Sequence, residues 1–339
     1  MSLKNRILAG WTRVTSTDNL FTDAWIQSYE PVEKDVHQSV LFLKPEVTSS
    51  QLGIQVDQVV DLALSTLDKF GVGIGAIRVV SGEYLQKHNL MEKHYGVISS
   101  ISKKGFPVLS TQAMENFKQK FKDERTDCIL GAHQFLEYAP FFNPQSLKTL
   151  NDNLGTVRLA GGTYAMKAKI AGCSMIILNP FHPLQLVPYS KKEDSIILFE
   201  IHSRLSWSDL RQKLIGATNP QIAEEGSLRN LFLKNKERLR LPIVDTSNNG
   251  VHGSAGPLEA MVEISRFFSK HEVGLTLDYS ETSFGKFLLD GGMNSEQISH
   301  LASNPEFKGI STFDSTEEKN FDEAREILLN PLREYPKST

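Results

Sequence analysis

Residues 37–80, HQSVLFLKPEVTSSQLGIQVDQVVDLALSTLDKFGVGIGAIRVV, change their hydrophobic period twice. The opening apolar run ends in Lys44 and Pro45 and is predicted to be a short strand. Val56, Val59, Val60, Ala63, Leu64 and Leu67 then recur at helical spacing, and 71–80 reads as the next strand. Working outward, EYLQKHNLMEKHYGVISSI reads as one or two helices and SIILFEI (195–201) as a buried strand. SWSDLRQKLIGA reads as a helix opened by Ser206 or Ser208. NNGVHGSAGPLEAMVEISRFF (248–268) supplies a last short strand and an amphipathic helix. This βαββαβ alternation predicts an α/β fold, an α+β sandwich in which a ferredoxin-like antiparallel sheet carries helices.

The remaining segments are predicted to lie outside that unit. They are an N-terminal extension (1–36), an inserted subdomain (105–193) and a mainly helical C-terminal extension (271–339), around a core of 37–104 and 194–270. At 339 residues the chain exceeds the size at which one core keeps growing, which favours two compact units or large insertions. With 40% hydrophobic and 23% charged residues it has the composition of a soluble globular protein. A net charge of -3 supplies no global pull toward nucleic acid or an anionic membrane, and no window approaches a membrane span, so neither partner is expected. Cys128 and Cys173 are too few for a disulfide framework or a cysteine-rich metal site. They fit a reducing compartment, and the expected location is cytoplasmic.

His252 is the residue around which chemistry gathers. Asn249, Gly250 and Gly253 flank it and let a ligand approach the backbone closely, while Pro257 suits the first turn of the following helix. Glu263, eleven residues on, is placed to hold the ring in one tautomer and so raise its nucleophilicity. A second cluster, LRQKLIGATNPQIAEEGSLRNLF (210–232), offers the Thr218 hydroxyl and the Arg229 guanidinium from a loop bounded by glycine. Both are phosphate-binding group types. Lys44 reads either as a charged strand end or as a site lysine. No G-x-x-x-x-G-K-[ST] sequence occurs, which argues against a P-loop NTPase.

The stretches VLFLKPE, LIGATNPQIAEEGSLRNLF and NNGVHGSAGPLEAMVEISRFF, in this order, resemble nucleoside diphosphate kinases. The resemblance implies transfer of the γ-phosphate of a nucleoside triphosphate to a nucleoside diphosphate through a phosphohistidine, in ping-pong fashion. It makes His252 the phosphate carrier and Glu263, with Ser254 nearby, its orienting group. Lys44 and Asn249 would meet the ribose hydroxyls and phosphates, Thr218 the β-phosphate and Arg229 the transferring group. The family's handling of the base by apolar contact implies broad nucleotide tolerance. Mg2+ would arrive with the nucleotide, so no dedicated protein metal site is expected. The alternative is a nucleotide-binding pseudoenzyme or scaffold whose added segments bind a protein partner.

Two positions depart from the family pattern. Asn89 stands where a site tyrosine is expected, with Tyr95 nearby and Val97 near the stacking position; Gln212 stands where an arginine is expected, beside Arg211. Adjacent side chains on an α-helix diverge by about 100°, so Arg211 is not expected to stand in for Gln212. The loop after Arg229 is lengthened and carries Lys234, Lys236, Arg238 and Arg240, which argues for a monomer or homodimer in place of the family's usual hexamer. Within the insertion, Gly161 and Gly162 near Arg158, Lys167 and Lys169 read either as a phosphate contact or as an ordinary turn, and His182 as a ligand or a packed residue.

Overall fold

The computed structural model describes residues 1–18, 20–33, 36–122 and 128–334. The chain divides into two units, one of residues 1–88 with 189–339 and one of residues 89–188. The inserted segment expected at 105–193 therefore compares with a second unit that starts at 89 and ends at 188.

The strands of the two larger sheets, in chain order, are β1 (Asp23–Gln27), β2 (His37–Leu43), β3 (Gly73–Ser81), β4 (Cys128–Gly131), β5 (Val157–Ala160), β6 (Thr163–Ile170), β7 (Cys173–Leu178), β8 (Ser195–Ser203) and β9 (Val251–Gly253). In the first unit they pair antiparallel in the order β1-β3-β8-β2-β9. Without β1, the four remaining strands have the ferredoxin-like order that the βαββαβ alternation implies.

Strand β2 is buried on both faces, which is why its sequence is an apolar run and not an alternation. Leu41 and Leu43 point to one side and join the core with Val56, Val59, Val60, Ala63 and Leu67 of the helix Val56–Lys69. Phe42 points to the other, toward Phe267 of the helix Pro257–Phe268. Leu64, expected on the apolar helix face, is only partly buried; Thr66 is buried instead, its hydroxyl donating to the Leu62 carbonyl oxygen.

Both extensions belong to this unit. The helix Leu3–Thr15, capped by Ser2, buries Ile7 and Val14 in the main core, and β1 adds an edge strand beside β3. The C-terminal segment is mainly helical, with Ser283–Asp290, Ser295–Ala302, Thr312–Thr316 and Phe321–Glu334. Its apolar cluster includes Phe284, Leu288, Leu301 and Leu328 and rests on Leu258 and Met261. Residues 335–339 of that extension lie outside the described residues. Arg78, fully buried in β3, ties the additions together: Asp23 and Glu272 pair with it at 2.9 and 2.8 Å, and the carbonyls of Phe267 and Ser269 accept from it. A buried guanidinium needs that many partners to offset its desolvation.

Two local expectations change. The segment read as one or two helices forms three, Gly82–Lys87, Leu90–His94 and Gly96–Lys104, broken at Asn89, whose φ of 54° lies in the left-handed region. The helix after β8 is capped by Ser206, but only Trp207–Asp209 is α-helical; Leu210–Ile215 is a π-helix, closed by Gly216 N–H donating to the Arg211 carbonyl at 3.0 Å.

The second unit is a four-stranded sheet of order β4-β7-β6-β5, parallel only between β4 and β7. Ile176 and Leu178 enter the apolar cluster on one face, Met175 and Ile177 that on the other. Gly161 and Gly162 form the turn of the β5–β6 hairpin, and Lys167 and Lys169 lie on exposed positions of β6. His182 is fully buried, 5.5 Å from the His133 ring, and burial pushes its pKa down to about 3. Among the described residues no helix is long and apolar enough to cross a membrane.

Candidate functional site

Strand β9 presents the histidine. Gly250, at φ 81°, precedes it in a conformation and a space that suit glycine, because a Cβ there would crowd Phe232 and Val47. His252 pairs opposite Phe42 of β2, and the two rings stack at 4.6 Å. The His252 side chain is 17% exposed and its Nε2 lies 2.9 Å from Oε1 of Glu263, which is fully buried. The other carboxylate oxygen, Oε2, accepts from the Ser254 hydroxyl at 2.6 Å, and that hydroxyl accepts from the Val40 N–H at 3.0 Å. An ionised Glu263 oriented this way favours a proton on Nε2 and leaves Nδ1 with the lone pair. One turn earlier, Glu259 accepts from the Ala255 N–H, and burial, then the Glu263 charge, push its carboxyl up to about 8.

The loop from 216 to 227 supplies the second part. Arg229, 6% exposed, donates to the Gly216 carbonyl at 2.8 Å and to the Val251 carbonyl at 3.1 Å. Burial, and next the charge of Arg211, bring its pKa down to about 10. Thr218 is exposed, and its carbonyl accepts from Asn249 Nδ2 at 3.2 Å. Asn249 Oδ1 in turn accepts from Lys44 Nζ at 2.9 Å. Burial lowers the Lys44 pKa, and Glu46, 3.9 Å away, opposes that shift. These residues thus form three polar networks of the first unit: His252, Glu263 and Ser254 in one, Lys44, Asn249 and the Thr218 carbonyl in another, and Arg229 with the Gly216 and Val251 carbonyls in the third.

Beside these networks lies a cavity of about 400 Å³, lined in part by Arg211, Gln212, Thr218, Glu224, Arg229 and Glu318. Its volume falls in the range that small ligands occupy. His252, Lys44 and Asn249 are not among its lining residues; Arg211 connects it to the histidine, donating through Nη1 to the Gly253 carbonyl at 3.1 Å.

The α-helical geometry expected at Arg211 is not the one found. The Arg211 backbone sits in the π-helix, where the 100° step of an α-helix does not apply, and its side chain reaches the cavity together with Gln212. Glu317 and Glu318 were also missed, since they lie 106 residues beyond their partners Arg211 and Gln212 and nothing local marks them. Phe42 had a local signal, the middle of an apolar run, but no signal for its stacking on an imidazole. Asn89, Tyr95 and Val97 belong to the second unit.

Fold and site together define a ferredoxin-like α+β protein in which a carboxylate-held histidine adjoins an arginine-lined cavity. A sequence profile of the nucleoside diphosphate kinase family matches residues 196–273, which contain Thr218, Arg229, Asn249, His252, Ser254 and Glu263 but not Lys44. Nucleoside diphosphate kinase from Persephonella marina is 44% identical over 62 residues, 18% of this chain and 37% of that protein. The enzyme from Chlamydia trachomatis serovar D is 40% identical over 65 residues, 19% of this chain and 39% of that protein. The chain therefore matches well under half the length of these relatives. Among solved structures, an NDP kinase from Pyrobaculum aerophilum aligns with 70% of this chain and 98% of its own at 20% identity, with a TM-score of 0.34. Residues 196–273 are thus similar in sequence to the nucleoside diphosphate kinase family.

Proposed function

We infer that the protein moves a phosphoryl group from a nucleoside triphosphate to a nucleoside diphosphate through His252. The observation that carries this reading is the His252–Glu263 pair, 2.9 Å apart, with the carboxylate fully buried and fixed by Ser254. Nδ1 attacks the γ-phosphorus, the N–P bond forms, the bond from that phosphorus to the bridging oxygen breaks, and the nucleoside diphosphate leaves with the electron pair. The ring keeps its Nε2 proton and becomes cationic, and Glu263 stabilises that charge. A second nucleoside diphosphate reverses the step.

Arg229 and Thr218 supply donors toward the phosphates, and Lys44 and Asn249 toward phosphate and ribose oxygens. The cavity's Glu224 and Glu318 are oxygen donors of the kind a hard cation accepts, which fits a magnesium ion entering on the nucleotide. Such an ion neutralises phosphate charge. The expected base tolerance is broad and the assembly a monomer or homodimer.

A second reading, nucleotide binding with slow transfer, draws support from Gln212, whose amide donates to Glu318 and brings no charge to the cavity. Incubation with γ-labelled ATP, followed by a chase with GDP, separates the two. Label that enters wild type, leaves in acid, survives alkali and passes to GDP supports transfer. If His252→Ala labels equally well, the mechanism is wrong.

A further inference from the structure

The C-terminal extension reaches the cavity through one turn. Thr316 passes so close to Gly256 that a Cβ there would collide with the Thr316 carbonyl oxygen. Glu318 N–H donates to the Ala255 carbonyl at 2.9 Å, and Glu318 itself sits at φ 57°, a conformation that favours glycine. The turn is therefore held by partners between the histidine strand and its following helix, against local preference.

That turn delivers two carboxylates to the cavity's outer arginine. Glu317 Oε1 lies 3.1 Å from Arg211 Nη2, Glu318 Oε1 lies 3.9 Å from Arg211 Nε, and Glu318 Oε2 accepts from Gln212 at 3.0 Å. Arg211 also gives Nη1 to Gly253, so Nη1 and Nη2 are hydrogen-bonded while Nε makes no hydrogen bond. On the cavity wall Arg211 and Arg229 are balanced by Glu224 and Glu318, and Glu317, which is not a lining residue, pairs with Arg211. A polyphosphate anion entering here meets a guanidinium already engaged by anionic oxygen and a wall without excess positive charge.

We propose that Glu317 and Glu318 set the affinity and specificity of this site by competing with nucleotide phosphate for Arg211 and Gln212. They weaken binding of the free nucleotide most, and binding of the cation-complexed nucleotide least, because the cation offsets the like-charge contact. This rests on the cavity being the nucleotide site. The carboxylates act through charge at partly exposed positions, so each effect is modest and screened by salt.

The experiment is calorimetry of ADP binding to the full chain, with and without magnesium. It compares wild type, Glu317→Gln, Glu318→Gln, the double variant and, as a charge control, Glu306→Gln at an exposed position outside the cavity lining. Each site variant should tighten ADP by roughly two- to fivefold, more without magnesium than with it, and the gain should shrink at high salt. The control should match wild type. If wild type binds ADP and the site variants bind no tighter, or bind more weakly, the competition is refuted and the turn at most positions Arg211. If neither wild type nor any variant binds, the nucleotide reading of the cavity falls and this inference with it. The single variants keep the test decisive should the double variant not fold.

Discussion

Arg211 and Arg229 bracket His252 from its own backbone: Arg229 holds the Val251 carbonyl at 3.1 Å and Arg211 the Gly253 carbonyl at 3.1 Å. Each guanidinium also lines the cavity, so the groups that fix the histidine strand are the groups that would meet a phosphate. Charge and position are coupled in one pair of side chains.

Arg211→Gln should therefore lower kcat/KM for ATP-to-GDP transfer about ten- to a hundredfold, the loss of one charge-assisted hydrogen bond in the transition state. Gln212→Arg should change it little, because the new guanidinium has Glu318 as its nearest acid. Steady-state kinetics of both variants checks this; a large gain at 212 with no loss at 211 would return the phosphate contact to the position that helical geometry indicates.

Glu263→Gln keeps the volume and an oxygen for the Ser254 hydroxyl but removes the charge facing Nε2. Single-turnover labelling of this variant should be slower by about a hundredfold, within the range of an orienting acid or base, with little change in nucleotide affinity. Wild-type labelling rates would deny the carboxylate its role.

Phe42→Leu removes the ring stacked on His252 while leaving an apolar side chain in β2. The expected cost is about 1 kcal/mol or more of stability from the vacated volume, with a several-fold slower labelling step as the imidazole loses one wall. Denaturant unfolding and quench-flow labelling measure the two separately. A stability loss with unchanged labelling would show that Glu263 alone orients the ring.

Glu259 has a folded pKa raised from 4.5 to about 8 by burial first and the Glu263 charge second. The folded state thus binds a proton that the unfolded chain has released between those values. Its stabilising contribution is present below about 4.5 and is lost as pH rises toward about 8. Glu259→Gln keeps an acceptor for the Ala255 N–H and should flatten that decline, raising Tm at pH 9 by roughly 2 °C or more relative to wild type. Melting curves from pH 5 to 9 decide it; parallel wild-type and variant profiles would assign the slope to other groups.

A lengthened basic loop after Arg229 motivates a monomer or dimer, and light scattering at micromolar concentration checks it. A stable hexamer would overturn that expectation.

Much of this protein was legible in the linear sequence because the deciding forces are local. The switch from the apolar run of β2 to the helical spacing of Val56, Val59, Val60, Ala63 and Leu67 determines strand and helix through backbone geometry and burial. Gly250 before His252, and Glu263 on the next helix, likewise mark a shaped seat for an imidazole within a few turns of chain. Tertiary structure alone decided the rest. The π-helix Leu210–Ile215, with Leu214 and Ile215 in the main core and Arg211 lining the cavity, leaves no mark in the residue pattern. Glu317 and Glu318 act on residues 106 positions earlier, and only the packing of Thr316 against Gly256 brings them there. Periodicity records which face of an element is buried; it holds no term for which distant backbone will close against it.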